Sequence, residues 1–236
     1  MEIINVGDRI TNDYIYAVKG GYVLVDTGYE KEYENFCEKL QKNMIEQKDI
    51  AYIFITHSHD DHIGFLNELL HHNNAKVILH SKAAVEIQKG QITFTGGCSN
   101  YIARMVFRNM AKKGHWFTPV EKEFKDRLII INDDNKSDLE KKLDAKIIET
   151  PGHTGCSVSL LRSDGKLFCG DAAMSSFPSF KRAAIWIDYL DEFCESWNKI
   201  IELKPKKIYP GHGKPFPVSD LEKYLPRVQK LKLLPL

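Results

Sequence analysis

Three histidines and two aspartates lie within six consecutive positions, in the run His57-Ser-His-Asp-Asp-His62. Imidazole nitrogens and carboxylate oxygens are ligands that proteins offer to zinc, and also to manganese and iron. The run contains more of these ligands than one ion can bind from a single short turn. A histidine-rich turn can simply be solvated, but further candidate ligands occur later in the chain. We therefore interpret the motif, HxHxDH, as metal binding.

The further candidates are His153, Asp171 and His212. They occur in the segments Thr-Pro-Gly-His153, Phe-Cys-Gly-Asp171 and Tyr-Pro-Gly-His212. Each follows a β-rich run and stands beside glycine, which lets the backbone turn sharply at a strand end. One such segment is weak evidence, but these three segments together with the HxHxDH run favour a metal centre.

The elements that must position these residues alternate between strand and helix. The continuous apolar run over 50–56 predicts a buried strand directly before the motif. Apolar residues spaced by three and four predict a helix over 30–47, and further helices are predicted over 63–70, 82–88, 99–113 and 188–203. Strands are predicted over 21–26, 75–80, 146–150, 157–161, 166–169 and 207–209. This alternation predicts an α/β fold, and no break in composition divides the chain, so we expect one domain over residues 1–236.

Composition argues against several classes of protein. The formal net charge is +1, without the basic excess of a nucleic-acid binder. The acidic and polar start of the chain does not fit a secretory signal, and no apolar run is long enough to span a membrane. The five cysteines are odd in number and never form a CxxC pair. We therefore expect a cytoplasmic protein with a small-molecule substrate, and neither nucleic-acid nor membrane partners.

The candidate metal ligands and the segments around them resemble those of the metallo-β-lactamase fold superfamily of metallohydrolases. The match extends from Val-Asp-Thr-Gly28 through HxHxDH to the later His, Asp and His. The resemblance implies a four-layer αββα sandwich with the metals at one edge between two sheets. It also implies two zinc ions per chain, with iron or manganese as alternatives.

The resemblance also assigns a role to each matching residue. It implies a first metal held by His57, His59 and His153, a second held by Asp61, His62 and His212, and Asp171 bridging the two. Asp26 matches a carboxylate behind the metal loop, where it supports the ligands without binding metal.

The expected reaction is hydrolysis of an ester, thioester or lactone bond in a small molecule. Two cations about 3.5 to 4 Å apart share a water whose pKa is lowered, which produces a bridging hydroxide. Asp61 is the catalytic candidate that passes a proton to the leaving group. A phosphodiesterase acting on a small diester and a mononuclear iron persulfide dioxygenase of the same fold remain alternatives. A non-catalytic binding protein is the alternative outside the enzymes.

Substrate choice is expected in the long middle segment and in the loop after Asp171. Residues 90–131 form the candidate substrate cap, and the helix over 99–113 could equally be a peripheral helix or a homodimer face. The candidate pocket residues are Met105, His115, Met174 and Phe177. Met174 stands where acyl-homoserine lactonases carry tyrosine, and only 24 residues follow His212, fewer than the helical domain of glyoxalase II requires. These departures favour a generic acyl substrate.

Overall fold

The structure is a computed structural model that describes residues 2–92, 94–111 and 117–236. Within them the strands are β1 (Ile3–Asn5), β2 (Tyr14–Val18), β3 (Gly21–Val25), β4 (Ile50–Phe54), β5 (Lys76–Leu79), β6 (Gly97–Cys98), β7 (Leu128–Ile130), β8 (Ala145–Glu149), β9 (Val158–Arg162), β10 (Lys166–Gly170), β11 (Trp186–Ile187) and β12 (Lys207–Pro210). The α-helices are α1 (Tyr33–Lys42), α2 (Asp60–Ile63), α3 (Leu66–His72), α4 (Ser81–Lys89), α5 (Tyr101–Ala111), α6 (Asp133–Leu143), α7 (Leu190–Leu203) and α8 (Ser219–Val228). None of the helices formed by these residues is long and apolar enough to cross a membrane.

The chain divides into two compact units, an N-terminal unit (Met1–Ile92 and Trp116–Ala145) and a C-terminal unit (Thr93–His115 and Lys146–Leu236). The N-terminal unit is built on a sheet of order β1-β2-β3-β4-β5-β7. Strands β3, β4, β5 and β7 run parallel, so their carboxyl ends lie at one edge. Val23, Leu24, Ile53 and Phe54 in its centre are fully buried, as expected for parallel strands.

The C-terminal unit contains a sheet of order β12-β10-β9-β8 and a small antiparallel pair of β6 and β11. Strands β10 and β12 are parallel, whereas β9 and β10 are antiparallel. Helix α7 buries Phe193, Trp197 and Ile200 against the core of this unit. The mixed α/β class predicted from the sequence is confirmed.

Several predicted boundaries are wrong, for local reasons. The helix expected over 30–47 is a 3-10 turn, Glu30–Glu32, followed by α1, and the chain leaves the helix before Met44, which has a left-handed φ of 57°. His80 was expected to close a strand, but its ring accepts the Lys82 amide hydrogen and caps α4. Helix α6 was not predicted, because its sequence is mostly charged and only Leu139 and Leu143 are buried.

Candidate metal centre

The HxHxDH motif follows the carboxyl end of β4, beside the carboxyl end of β3. The two strands pair in parallel with Val25 opposite Phe54, and the Asp26 amide donates to the Phe54 carbonyl at 2.9 Å. This register brings Asp26 next to Thr56 and the first histidine of the motif. We call His57, His59, Asp61 and His62 the N-terminal ligand group.

The Asp26 carboxylate is fully engaged by its neighbours. Its Oδ1 accepts the Thr56 amide hydrogen at 2.8 Å, and its Oδ2 accepts the Thr56 hydroxyl at 2.8 Å and His62 Nδ1–H at 2.9 Å. The residue has a left-handed φ of 64°, a conformation that aspartate tolerates better than most residues. Asp26 is therefore built to orient other side chains.

Asp26 determines which nitrogen two of the histidines present. Because the Thr56 hydroxyl gives its proton to Asp26, its oxygen accepts from His57 Nδ1 at 3.1 Å. His62 Nδ1 donates to Asp26 directly. In both rings the proton is thus on Nδ1 and the lone pair is on Nε2, the arrangement that proteins use to aim an imidazole at a metal.

The rest of the N-terminal ligand group lies close by. The His57 ring centroid is 4.6 Å from that of His59 and 4.1 Å from that of His62. Asp61 Oδ1 lies 3.8 Å from His62 Nε2, and the Asp61 side chain is 15% exposed. Burial raises the pKa of the neighbouring Asp60 to about 6, with a further contribution from the negative charge of Asp61.

Sequence reasoning missed Asp13, which supports this group from behind. Asp13 is buried, and its Oδ1 accepts the Gly28 amide hydrogen at 2.8 Å. The adjacent Thr27 donates its amide hydrogen to the His62 carbonyl at 2.7 Å, so Asp13 stabilises the loop that holds His62. Burial raises the pKa of Asp13 well above its usual range, and the charge of Asp26 acts in the same direction. In the sequence, Asn-Asp13 only indicates a turn.

The C-terminal unit collects its candidate ligands at one edge of its own sheet. Gly170 pairs with Pro210 at the carboxyl ends of the parallel strands β10 and β12, so Asp171 and His212 emerge side by side. Since Phe168 pairs with Leu160, the loop that precedes β9 and carries His153 reaches the same edge. We call His153, Asp171 and His212 the C-terminal ligand group.

The geometry of the C-terminal ligand group is convergent. His153 Nε2 lies 3.6 Å and His212 Nε2 lies 3.4 Å from the same atom, Asp171 Oδ2. All three side chains are at most 8% exposed. Two imidazole nitrogens aimed at one carboxylate oxygen are the arrangement expected where neighbouring groups share a cation.

His153 is oriented by the main chain. Its Nδ1 lies 2.8 Å from the carbonyl oxygen of Trp186, which fixes Nδ1 as the donor and leaves the lone pair on Nε2. Gly152 before it has a φ of 126°, and a Cβ there would lie 2.3 Å from the Phe193 backbone. The glycine beside His153 is thus required both by conformation and by the close approach of α7.

The candidate pocket residues have different surroundings. Met174 is buried in the core of the C-terminal unit, where its sulfur accepts the Ile185 amide hydrogen. Met105 on α5 and Phe177 are 70% and 74% exposed. His115 lies outside the described residues.

Helix α5 exposes several apolar side chains to solvent. Among its residues 101–109, Ala103 and Phe107 are buried, and Phe107 stacks on Trp186 with ring centroids 4.9 Å apart. Tyr101 is 72% exposed, and Ile102 and Val106 are exposed as well.

The residues of both ligand groups fit divalent metal ions. Imidazole nitrogens and carboxylate oxygens suit zinc and also manganese or iron. His57, His62 and His153 each have Nδ1 held by a protein oxygen, as metal-binding imidazoles usually do. The chain therefore carries a His/Asp set suited to divalent cations.

The sequence of the chain matches a known protein family. The model of the metallo-beta-lactamase superfamily matches residues 6–212. The "Metallo-beta-lactamase fold-containing protein ST1585" of Sulfurisphaera tokodaii is 30% identical over 210 residues, covering 87% of this chain and 73% of that protein. The "Beta-lactamase-like protein 2 homolog" of Drosophila melanogaster is 24% identical over 217 residues, covering 91% of this chain but only 63% of that protein.

A solved structure agrees with the fold. TTHA1623 in a di-iron-bound form superposes with a TM-score of 0.65 at 19% sequence identity, covering 94% of this chain and 97% of that one. The family model includes every residue of both ligand groups. The chain therefore belongs to the metallo-β-lactamase superfamily of metallohydrolases.

Proposed function

We propose that the protein is a metal-dependent hydrolase that cleaves an ester, thioester or lactone bond of a small molecule. In this proposal the two ligand groups together hold two divalent cations, with zinc as the native metal. The observation that carries it is the pair of imidazole nitrogens aimed at Asp171 Oδ2. Membership of a metallohydrolase superfamily supports the same reaction type.

His57, His59 and His153 would hold one metal, Asp61, His62 and His212 would hold the other, and Asp171 would contribute to both. The bound cations supply Lewis-acid activation of the scissile group and lower the pKa of a water molecule. Asp26 and the Trp186 carbonyl orient the imidazoles, so that little rearrangement is needed when substrate binds.

Asp61 is the candidate for proton transfer. Its side chain is partly exposed, unlike the fully buried Asp26, so it can reach a substrate. In the proposed cycle its carboxylate takes the proton released when water attacks the acyl carbon and returns it to the leaving oxygen or sulfur. The net reaction adds the elements of one water molecule across the acyl bond.

Substrate binding is proposed to use apolar side chains of the C-terminal unit. Met105 and Phe177 are exposed, and Asn100 at the start of α5 donates to the Pro178 carbonyl beside Phe177. An apolar acyl group suits such side chains.

The test is turnover by protein that has been stripped of metal and reloaded separately with zinc, manganese or iron. Generic thioester, ester, lactone and phosphodiester substrates are assayed, with Asp171→Ala beside the wild type. We expect hydrolysis of one acyl class that requires metal and is lost in the variant. Failure of every acyl substrate with fully loaded protein contradicts the proposal, and turnover of only a phosphodiester replaces it with the phosphodiesterase.

One observation favours including iron among the metals that are tested. The structural relative TTHA1623 is described in a di-iron-bound form. Oxygen uptake by iron-loaded protein in the presence of a thiol persulfide, without hydrolysis by zinc-loaded protein, would favour the persulfide dioxygenase.

A further inference from the structure

The loop that follows Asp171 is joined to the loop that carries His212. The Ser175 amide donates to the His212 carbonyl at 2.9 Å, and the Ser175 hydroxyl donates to the Lys214 carbonyl at 2.5 Å. Gly213 has a φ of 88°, and a Cβ there would lie 2.4 Å from the Ser175 carbonyl carbon, so the two loops are in close contact. Two members of the C-terminal ligand group are therefore connected through Ser175.

Arg182 anchors the other end of the segment 172–182, which we call the 172–182 loop. Within this loop the Met174 amide donates to the Arg182 carbonyl at 3.0 Å. The Arg182 side chain donates from Nε at 2.9 Å and from Nη2 at 2.7 Å to Asp220 Oδ2, in the first turn of α8. Its guanidinium carbon also lies 4.5 Å from the centre of the Phe216 ring. Two charge-assisted hydrogen bonds and a cation-π contact hold a side chain more firmly than a single exposed ion pair does.

Phe216, which packs against the guanidinium, is itself fixed to the sheet. It is 3% exposed and exchanges two backbone hydrogen bonds with Ile208 of β12, at 2.8 and 3.0 Å. Strand β12 ends two residues before His212. The Arg182 side chain thus ties the 172–182 loop to the strand that leads to His212.

The backbone at this anchor has an unfavourable conformation. Lys181 has a φ of 57° and Arg182 a φ of 66°, so two consecutive residues other than glycine are left-handed. Such conformations persist only where the surrounding structure holds them, and they occur preferentially at functional sites. Here the Met174 amide and the contacts of the Arg182 side chain hold them.

We propose that Arg182 is a positioning residue of the metal centre and acts through Asp220. By fixing the 172–182 loop it keeps Ser175 on the His212 carbonyl, and so maintains the 3.4 Å separation of His212 Nε2 from Asp171 Oδ2. Groups of an active centre have to be held to within about 0.5 Å of their productive geometry. This inference rests on the proposed metal centre and adds to it a residue from outside both ligand groups.

The first test measures hydrogen exchange of backbone amides in the metal-free full-length chain by NMR. In Arg182→Ala the Ser175 amide should exchange severalfold faster than in the wild type, because its bond to the His212 carbonyl opens more often. Asp220→Ala should have the same effect. The double variant should exchange no faster than either single variant, because both substitutions break the same contact. Amides of β9 should exchange as in the wild type.

Lys166→Ala is the matched control for loss of a surface ion pair. Lys166 lies 3.0 Å from Asp164, and its side chain is 29% exposed, close to the 28% of Arg182. The control should leave the exchange rate of the Ser175 amide unchanged. Asp220→Asn, which retains size and removes charge, is the milder variant if Arg182→Ala does not fold, and it should also accelerate exchange at Ser175.

A spectroscopic readout separates positioning of the ligands from a loss of stability. The visible absorption band of protein fully loaded with Co²⁺ should differ between Arg182→Ala and the wild type, and the affinity for Co²⁺ should fall about 10-fold. A variant that is only less stable would keep the wild-type band when fully loaded.

Two results would overturn the proposal. One is an unchanged exchange rate of the Ser175 amide in Arg182→Ala, and the other is an unchanged Co²⁺ band in that variant. If both readouts change as expected but Co²⁺-loaded wild type hydrolyses no acyl substrate, the positioning role is supported and only the proposed hydrolase is contradicted.

Discussion

The N-terminal ligand group comes from one run of six residues after a single strand, whereas the C-terminal ligand group comes from three loops spread between residues 153 and 212. The N-terminal group is oriented by a side chain, because Asp26 holds His62 directly and His57 through Thr56. In the C-terminal group, His153 is oriented by a main-chain carbonyl. A ligand held by a side chain can therefore be disturbed by one substitution, whereas a ligand held by the main chain resists it.

The largest effect is expected at Asp171, where the ligands of the C-terminal group converge. Asp171→Ala removes the oxygen faced by both His153 and His212, so we expect hydrolysis to fall more than about 100-fold, beyond the 10- to 100-fold typical of residues that only orient ligands. The measurement is kcat/KM together with metal content. Asp164→Ala, in the turn between β9 and β10, is the control and should retain both.

A smaller effect is expected for Asp26→Asn in the N-terminal unit. The Asp26 carboxylate accepts hydrogen bonds only, so the NH2 group of asparagine faces a donor whichever way the amide turns, either the Thr56 amide or the Thr56 hydroxyl and His62 Nδ1. We therefore expect metal affinity to fall by about 10- to 100-fold. Competition with a chromophoric chelator measures the metal affinity of the variant and of the wild type.

Trp186→Phe in the C-terminal unit is the variant to compare with Asp26→Asn. This variant keeps the carbonyl that orients His153, and its metal affinity should stay near that of the wild type. Equal losses of affinity in Asp26→Asn and Trp186→Phe would break the distinction between side-chain and main-chain orientation.

Two substitutions of Asp13 test whether this residue stabilises the loop behind the N-terminal ligand group through its hydrogen bond or through its charge. Asp13→Ala leaves the Gly28 amide hydrogen without its acceptor and should lower the free energy of unfolding by about 1 to 3 kcal/mol. Because burial favours the neutral form of this carboxyl, Asp13→Asn should cost less than Asp13→Ala. Urea denaturation of the metal-free variants measures both, and a larger loss in Asp13→Asn would mean that the negative charge is needed.

The smallest effect is expected in the stability of Trp186→Phe. The variant loses the hydrogen bond from the indole nitrogen to Asp188 Oδ1, at 2.8 Å, and part of the stacking on Phe107. We expect a loss of about 1 to 2 kcal/mol in the free energy of unfolding. Tyr189→Phe, at an exposed neighbouring position, should change the free energy of unfolding far less.

The fold class and the candidate ligands could be predicted from the sequence because their signals are local. HxHxDH after a buried run, and glycine before His153 and Asp171, appear within a few residues of chain. Asp13 and Trp186 could not be found in this way. Each acts on a residue more than ten positions away, through a hydrogen bond that exists only once the chain has folded.

The sequence also could not predict which face of α5 is exposed to solvent. The spacing of Ile102, Met105 and Val106 predicts an amphipathic helix correctly, but it does not say which face is buried. The structure buries Ala103 and Phe107 instead, because Trp186 and Phe94 offer Phe107 an aromatic surface.

The sequence by itself determined the family, the class of metal ligand and the strand ends where those ligands occur, since each depends on residues adjacent in the chain. Only the tertiary structure decided which nitrogen each oriented imidazole presents and which carboxylate stays buried behind it. It also brought the Arg182 guanidinium to Asp220. These outcomes depend on strand register and on hydrogen bonds between distant segments, and neither leaves a periodic pattern in the sequence.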